Sequence, residues 1–294
     1  MFNVEFRLKF YTGYYFINIE KMDTCDKDTL IDLSHINMIC LHKHKNYGIV
    51  FKNMIENTIN HDKKFMVKFG DVETSITYFT FLKNRPSYET RGVILRSLNV
   101  NRHWYNYYNK PVDISFNDKI NTVIWRGATT GRINRYGNRF KLIKSWFKKE
   151  KCINIGFSLI SKNKEENKKY KLNKLSPSEM LKYKYIISVE GNDKDSGLNW
   201  KLNSNSLIFM PKPTVTSWLM ETLLVPNYHY IELKDDFSDL LEKYKWCENN
   251  QDKCIEIIKN ANVFMSMFNN KEQEEKLEQD VIHNYFEMIH QKSL

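Results

Sequence analysis

Apolar and polar positions follow two rhythms along this 294-residue chain. Short runs rich in Phe, Tyr, Ile and Val read as strands: FRLKFYTGYYFINI near the start, then KKFMVKFGD, ITYFTFLK, KINTVIW, CINIGFSLI, YKYIISVEG and LIFM. Other stretches repeat apolar residues at the three-to-four spacing of helices: RFKLIKSWFKK, DFSDLLEKYKWCENN, DKCIEIIKNANVFMSMF and the tail KEQEEKLEQDVIHNYFEMI. YGIVFKNMIENTI predicts a strand running into a helix, and the stretch after RPSYET a helix with many polar side chains. LIFMPKPTVTSWLMETLLVPNYHYIEL predicts strand, proline-marked loop, helix and strand. SPSEM is a helix start, with Ser176 as N-cap, Pro177 at the first helical position and Glu179 at the third. The lysine-rich stretch from about 160 to 176 reads as a surface loop. Strands alternating with helices predict an α/β protein with parallel sheets.

Chemistry-bearing residues collect where strands end. Open α/β sheets place ligand groups there, because helices cover the two faces and leave the carboxyl edge open to a crevice. Asp71 closes the strand Phe65 to Phe69, where a carboxylate suits a general base, although strand-end aspartates are more often structural. In WRGATTGR, Arg126, Gly127, Thr129, Thr130 and Gly131 precede a helix carrying Arg132, Arg135 and Arg139. Small residues let backbone N–H groups approach a phosphate and arginine adds bidentate donors, though the pattern is neither a P-loop nor GxGxxG and also fits a turn with solvated arginines. In a second polar loop, SVEGNDKDSGLNWK, Gly191 and Gly197 permit tight backbone turns, and Asn192, Asp193, Asp195 and Ser196 suit binding of hydroxyls or capping of a following helical turn.

Composition narrows the class. Hydrophobic residues make up 41%, with 18 Phe, 17 Tyr and 6 Trp, enough for packed cores and too many for a disordered chain. The net charge of +10 suits an anionic ligand or a solvated lysine-rich surface. Cys25, Cys40, Cys152, Cys247 and Cys254 are scattered and odd in number, so free thiols are expected rather than a disulfide framework or a metal site. His103 and His229 sit among aromatics and read as structural. Glu5, Arg7 and Lys9 interrupt the aromatic N-terminus, which lacks the apolar core of a signal peptide, and no run reaches transmembrane length. A cytoplasmic protein, soluble or peripheral to a membrane, is expected.

The blocks FGD, NRHW, WRGATTG, IGFS, YKYIISVEGND, SGLNWKLNSNSLIFMPKP and SWLMETLLVPNYHYIELKDDFSDL, followed by a tail helix, occur in an order that resembles glycosyltransferase family 90. That family holds capsule-associated and LpsA-like lipopolysaccharide proteins and the Rumi-type protein O-glucosyltransferases. The resemblance spans roughly residues 60–275, and the EGND to DDFSDL block is closer to the LpsA-like branch. It implies a GT-B fold of two Rossmann-like domains facing across a cleft: an acceptor-side domain over 1–118, a donor domain over 119–275 and a terminal helix over 276–294.

The resemblance further implies an inverting transfer of a hexose or pentose from a nucleotide-sugar, expected to be a UDP-sugar, to a hydroxyl of a glycan, lipid-linked glycan or protein. No obligatory cofactor or metal and no nucleic-acid partner are implied. By position Asp71 matches the acceptor-activating base and Arg126 the arginine of the family's RG motif near the donor phosphates. Gly127, Thr130 and Arg135 fall beside that motif, and Gly191, Asn192 and Ser196 fall in the donor loop. Where animal relatives carry a loop arginine this chain has Gly197 and Leu198, which passes the charge to Lys201 or Arg135. Glu221 lies where a sugar or ribose contact is expected. Two other readings remain: a GT-B-fold protein that binds a sugar or nucleotide without turnover, and an RNA-binding protein.

Overall fold

The computed structural model describes residues 2–13, 45–56, 65–71, 76, 79–89, 91–131, 137–161 and 164–290. Along the chain run α1 (Val4–Thr12), α2 (Lys45–Glu56), β1 (Thr80–Leu82), β2 (Asn84–Pro86), β3 (Gly92–Ile94), β4 (Ile120–Ala128), α3 (Arg139–Trp146), β5 (Ile153–Leu159), α4 (Pro177–Met180), β6 (Tyr183–Ile187), α5 (Leu198–Leu202), β7 (Leu207–Met210), β8 (Val215–Ser217), β9 (Ile231–Glu232), α6 (Leu240–Glu248), α7 (Gln251–Ser266) and α8 (Lys271–His290). The chain divides into two compact units. The first comprises Met1–Val100, Val215–Met220 and Asn270–Leu294; the second comprises Asn101–Thr214 and Glu221–Asn269.

The second unit is built on a five-stranded parallel sheet of order β5-β4-β6-β7-β9. Burial on both faces explains why YKYII is apolar without alternation: Tyr185, Ile186 and Ile187 are all fully buried. Val123, Trp125, Ile155, Phe157, Tyr185 and Phe209 form the core with Phe140 and Ile143 of α3 and Ile257 and Ile258 of α7. The capping box at Ser176 forms as expected, with the Ser176 side chain accepting from the Glu179 N–H and the Glu179 carboxylate accepting from the Ser176 N–H.

The stretch 160–176, expected as a loop, is largely structured. Lys164–Asn167 and Lys168–Tyr170 form helical turns, Lys171 makes a bridge to Phe157, and the Leu172 N–H donates to the Phe157 carbonyl at 2.8 Å. Leu172 packs on Gly156 so closely that a Cβ there would lie 2.5 Å from its Cδ1. The segment thus covers the outer edge of β5, whose backbone groups would otherwise stand unpaired.

The first unit pairs β1 with β3 in parallel and β2 with β8 antiparallel. Phe51, Phe65, Phe81, Tyr285 and Phe286 form a buried aromatic cluster joining α2, β1 and α8. Its start corrects the strand expected in FRLKFYT, which is helical. Asn3 accepts from the Phe6 N–H at 2.8 Å, Glu5 pairs with Lys9 at 2.6 Å, and Gly13 closes the helix at φ 80°. Tertiary partners then hold it: buried Arg7 pairs with Glu274 at 2.6 Å, and the Tyr11 ring stacks on Trp218 at 3.8 Å. The YGIVFKNMIE stretch is helical throughout, without the leading strand. Phe65 to Phe69 contributes isolated bridges, at Phe65 and from Val67 to Phe81, rather than a strand, and the helix expected at SWLMETLL is a single turn over Glu221–Leu223.

Candidate functional site

In the second unit the chain starts its sheet at β4, adds β5 on one side and then crosses to add β6 on the other. The carboxyl ends of β4 and β6 therefore flank the topological switch point, where the connections depart in opposite directions and leave a crevice between them. The two polar loops singled out in the sequence leave from these two strand ends.

The loops touch through glycine. Gly131, at φ 114°, donates its N–H to Asn192 Oδ1 at 3.0 Å, and a Cβ on Gly131 would lie 3.3 Å from the Gly191 backbone. Arg139, the first residue of α3, is placed by its neighbour Asn138, which caps the helix by accepting from the Lys141 N–H. The Arg139 guanidinium lies against Gly191, where a Cβ would meet Nη2 at 2.8 Å. Its Nη1 donates to Thr130 Oγ1 at 2.9 Å and to the Ala128 carbonyl at 3.3 Å, and Nη2 reaches the Val189 carbonyl at 3.4 Å. Nε is buried with no acceptor among the described residues. Burial pushes the Arg139 pKa down, Asp195 and Asp193 oppose that, and Arg102 adds to the depression.

The second loop is held by two ion pairs. Asp195 accepts from Lys201 Nζ, from Ser188 Oγ at 2.8 Å and from the Gly197 N–H at 2.9 Å. Desolvation is the largest influence on Asp195 and raises its pKa, yet Lys201, the Gly197 N–H and the Ser188 hydroxyl together outweigh it and hold the carboxyl at about 2. Lys194 pairs with Glu221 at 2.5 Å, both about 1% exposed, and also donates to Asn199 Oδ1 at 2.9 Å. Asn199 Nδ2 is a second buried donor without an acceptor. Glu190 accepts from the Thr214 N–H and hydroxyl at 2.9 and 2.6 Å, tying the loop after β6 to the loop after β7. Ser188, Glu190, Lys194, Asp195, Pro211 and Glu221 line an open pocket at this edge.

The structure gathers Thr130, Gly191, Asn192, Lys201 and Glu221 at or beside this edge, with Ser196 in the turn before α5. Lys201 is already matched to Asp195. Gly127 lies against the Trp125 indole, where a Cβ would stand 2.4 Å from Cζ2. Arg126 is not brought to the loops: its guanidinium donates to the Asn173, Trp125 and Asn154 carbonyls and to Asn154 Oδ1. Asn154 is registered with Ile124, so the side chain leans toward the amino ends of the strands, where Tyr183 opposes the lowering of its pKa by burial. Arg135 and Arg132 lie outside the described residues. In the first unit Asp71 pairs with Lys83 at 2.9 Å, the lysine being 1% exposed.

Three residues with a large part in the site take no role of their own from the sequence: Arg139, one of three arginines after WRGATTG, and Lys194 and Glu190, within the second polar loop. For Arg139 a signal existed, since Asn138 as an N-cap puts it at the first helical position facing the preceding strand end.

A five-stranded parallel sheet with two interlocked polar loops and a buried arginine at its switch point defines an α/β unit with a candidate site at its carboxyl edge. The family model for glycosyl transferase family 90 matches residues 98–292, and the chain belongs to that family. It is 32% identical to the O-glucosyltransferase LpsA of Dichelobacter nodosus over 229 residues, 78% of this chain and 68% of that protein. It is 35% identical to the uncharacterized protein 179R of Invertebrate iridescent virus 6 over 108 residues, 35% of this chain and 9% of that protein. With Protein O-glucosyltransferase 2 of Danio rerio it shares 26% identity over 141 residues, 47% of this chain and 27% of that protein. The chain is thus a glycosyltransferase of family 90, which implies a sugar donor and an acceptor. No helix among the described residues is long and apolar enough to cross a membrane.

Proposed function

We propose that the chain is an inverting O-glycosyltransferase of GT-B type, moving a hexose or pentose from a UDP-sugar to a hydroxyl of a glycan, lipid-linked glycan or protein, with residues 1–118 on the acceptor side and 119–275 on the donor side. The observation that carries the donor half is the interlocked pair of loops at the switch point, where Arg139 presents a buried Nε with no acceptor. Such a donor favours an anion over water, because an unmade buried hydrogen bond is costly and a charged acceptor makes the strongest one. The diphosphate is assigned to Arg139, Thr130 and the backbone around Gly131, Gly191 and Asn192. Glu190, Asp195 and Glu221 suit the hydroxyls of ribose or sugar. Lys201 acts by holding Asp195 ionised. Arg126, with its guanidinium satisfied by carbonyls, is assigned as a strut beneath the loop.

Asp71 is assigned the base. Its carboxylate takes the acceptor O–H proton as the oxygen bonds to the anomeric carbon, and the bond from that carbon to the diphosphate oxygen breaks with its electron pair. Arg139 and the loop N–H groups stabilise the departing charge. Lys83 pairs with Asp71 and positions its carboxylate.

The test is calorimetric titration with UDP, GDP, CMP and UDP-sugars, with and without a chelator, followed by donor hydrolysis assays. Chelator-insensitive binding of one UDP-sugar, with slow hydrolysis, is expected. Asp71→Asn is expected to keep nucleotide binding and lose transfer. Wild-type transfer by that variant removes Asp71 from the mechanism, and nucleotide binding without any hydrolysis or transfer favours the non-catalytic binder.

A further inference from the structure

Between residues 141 and 184 the chain carries thirteen lysines, four glutamates and no arginine or aspartate, a net charge of +9 in a protein of net +10. All other residues together hold 32 basic against 31 acidic side chains. Eleven of the thirteen lysines are exposed; Lys184 is buried and Lys162 lies outside the described residues. All of the exposed ones but Lys182 lie on α3, on the turn after it, and on the segment that covers the outer edge of β5.

These pieces converge on one aromatic pair. The Phe147 and Tyr170 rings meet edge-on with centroids 5.2 Å apart, joining the end of α3 to the covering segment. Lys148 Nζ lies 5.3 Å from the Phe147 ring and Lys169 Nζ 5.0 Å from the Tyr170 ring. Lys149, Lys168 and Lys171 are exposed beside them. At the end of β5 Leu159 is 60% exposed, an apolar side chain two residues beyond the bridge at Phe157.

We propose that this edge is a docking face for an anionic phospholipid bilayer. Lysine supplies a hydrated, mobile point charge, which suits a fluid array of headgroups. A nucleic-acid face would call for arginine forks on phosphate and base edges and for aromatic faces open to stacking. Here arginine is absent from the segment, and Phe147 and Tyr170 are partly buried against the core. The face uses neither the switch-point loops nor Asp71, so it stands or falls independently of the proposed reaction.

The test is co-sedimentation of the full chain with phosphatidylcholine vesicles, with and without phosphatidylglycerol, at low and physiological salt. Binding to the anionic vesicles only, weakened by salt, is expected. Replacing Lys149, Lys168, Lys169 and Lys171 with Gln should weaken it by roughly 600-fold, at roughly fivefold per lysine near a charged leaflet. A control with Lys253, Lys259, Lys271 and Lys276→Gln has the same net charge and should bind like the wild type. Circular dichroism checks that both variants are folded. The proposal is overturned if anionic vesicles are not bound at low salt, if the two variants weaken binding equally, or if single-stranded RNA is bound more tightly than the vesicles at the same salt.

Discussion

Replacing Arg139 with Met removes the switch-point cation while keeping a long side chain against Gly191. In the wild type two of the Arg139 contacts are long, 3.3 Å to Ala128 O and 3.4 Å to Val189 O, and Nε has no acceptor among the described residues. A bound diphosphate would gain the Nε bond and one redirected Nη bond. Charge-assisted hydrogen bonds contribute about 1.5–3 kcal/mol each, and some of this is offset by the loss of the long contacts to carbonyls. A net loss of about 2–4 kcal/mol is expected, or roughly 30-fold to several hundred-fold in the Kd for UDP. Folding stability should change little, because the variant also removes a charge that burial disfavours. Isothermal titration with UDP, paired with urea unfolding of the same sample, reads both quantities. An unchanged Kd at unchanged stability would refute the assignment of the diphosphate to Arg139, and a collapse of stability would show that the residue serves the fold instead.

Gly191→Ala is a milder probe of the same contact: its Cβ would meet Arg139 Nη2 at 2.8 Å, so the arginine must shift, and nucleotide affinity should fall several-fold with stability nearly kept. Breaking the buried Lys194–Glu221 pair by Lys194→Met should cost about 3–5 kcal/mol, whereas Lys194→Met with Glu221→Leu should cost less than either single change, as a double-mutant cycle in urea would show. The Asp195 carboxyl, at about 2 when folded against 3.8 for an ordinary aspartate, contributes stability that is fully present above about pH 4 and is lost as pH falls toward 2. That contribution is about 2 kcal/mol by linkage. The stability gap between wild type and Asp195→Asn should therefore narrow from pH 5 to pH 2.5, and a gap independent of pH would contradict the ion pair with Lys201.

Local sequence determined a good deal. The apolar runs that become β4, β5, β6 and β7, the Ser176 capping box and the long helices α6, α7 and α8 were all legible, because strand burial on two faces and helical periodicity leave marks within a few residues. Both polar loops were legible too, since glycine and short polar side chains crowd where a strand must stop and a backbone must turn tightly.

Tertiary structure decided what local pattern cannot encode. FRLKFYT has the aromatic density of a strand, but a cap at Asn3 and long-range partners at Glu274 and Trp218 make it a helix. The lysine-rich stretch became an edge cover because β5 needed hydrogen-bond partners. Arg126 and Arg139 look alike in the sequence, yet one lies along the sheet on backbone carbonyls and the other sits at the crevice with a donor unpaired. Strand order, which only the folded sheet sets, decides which strand ends flank the switch point and therefore which arginine a ligand can reach.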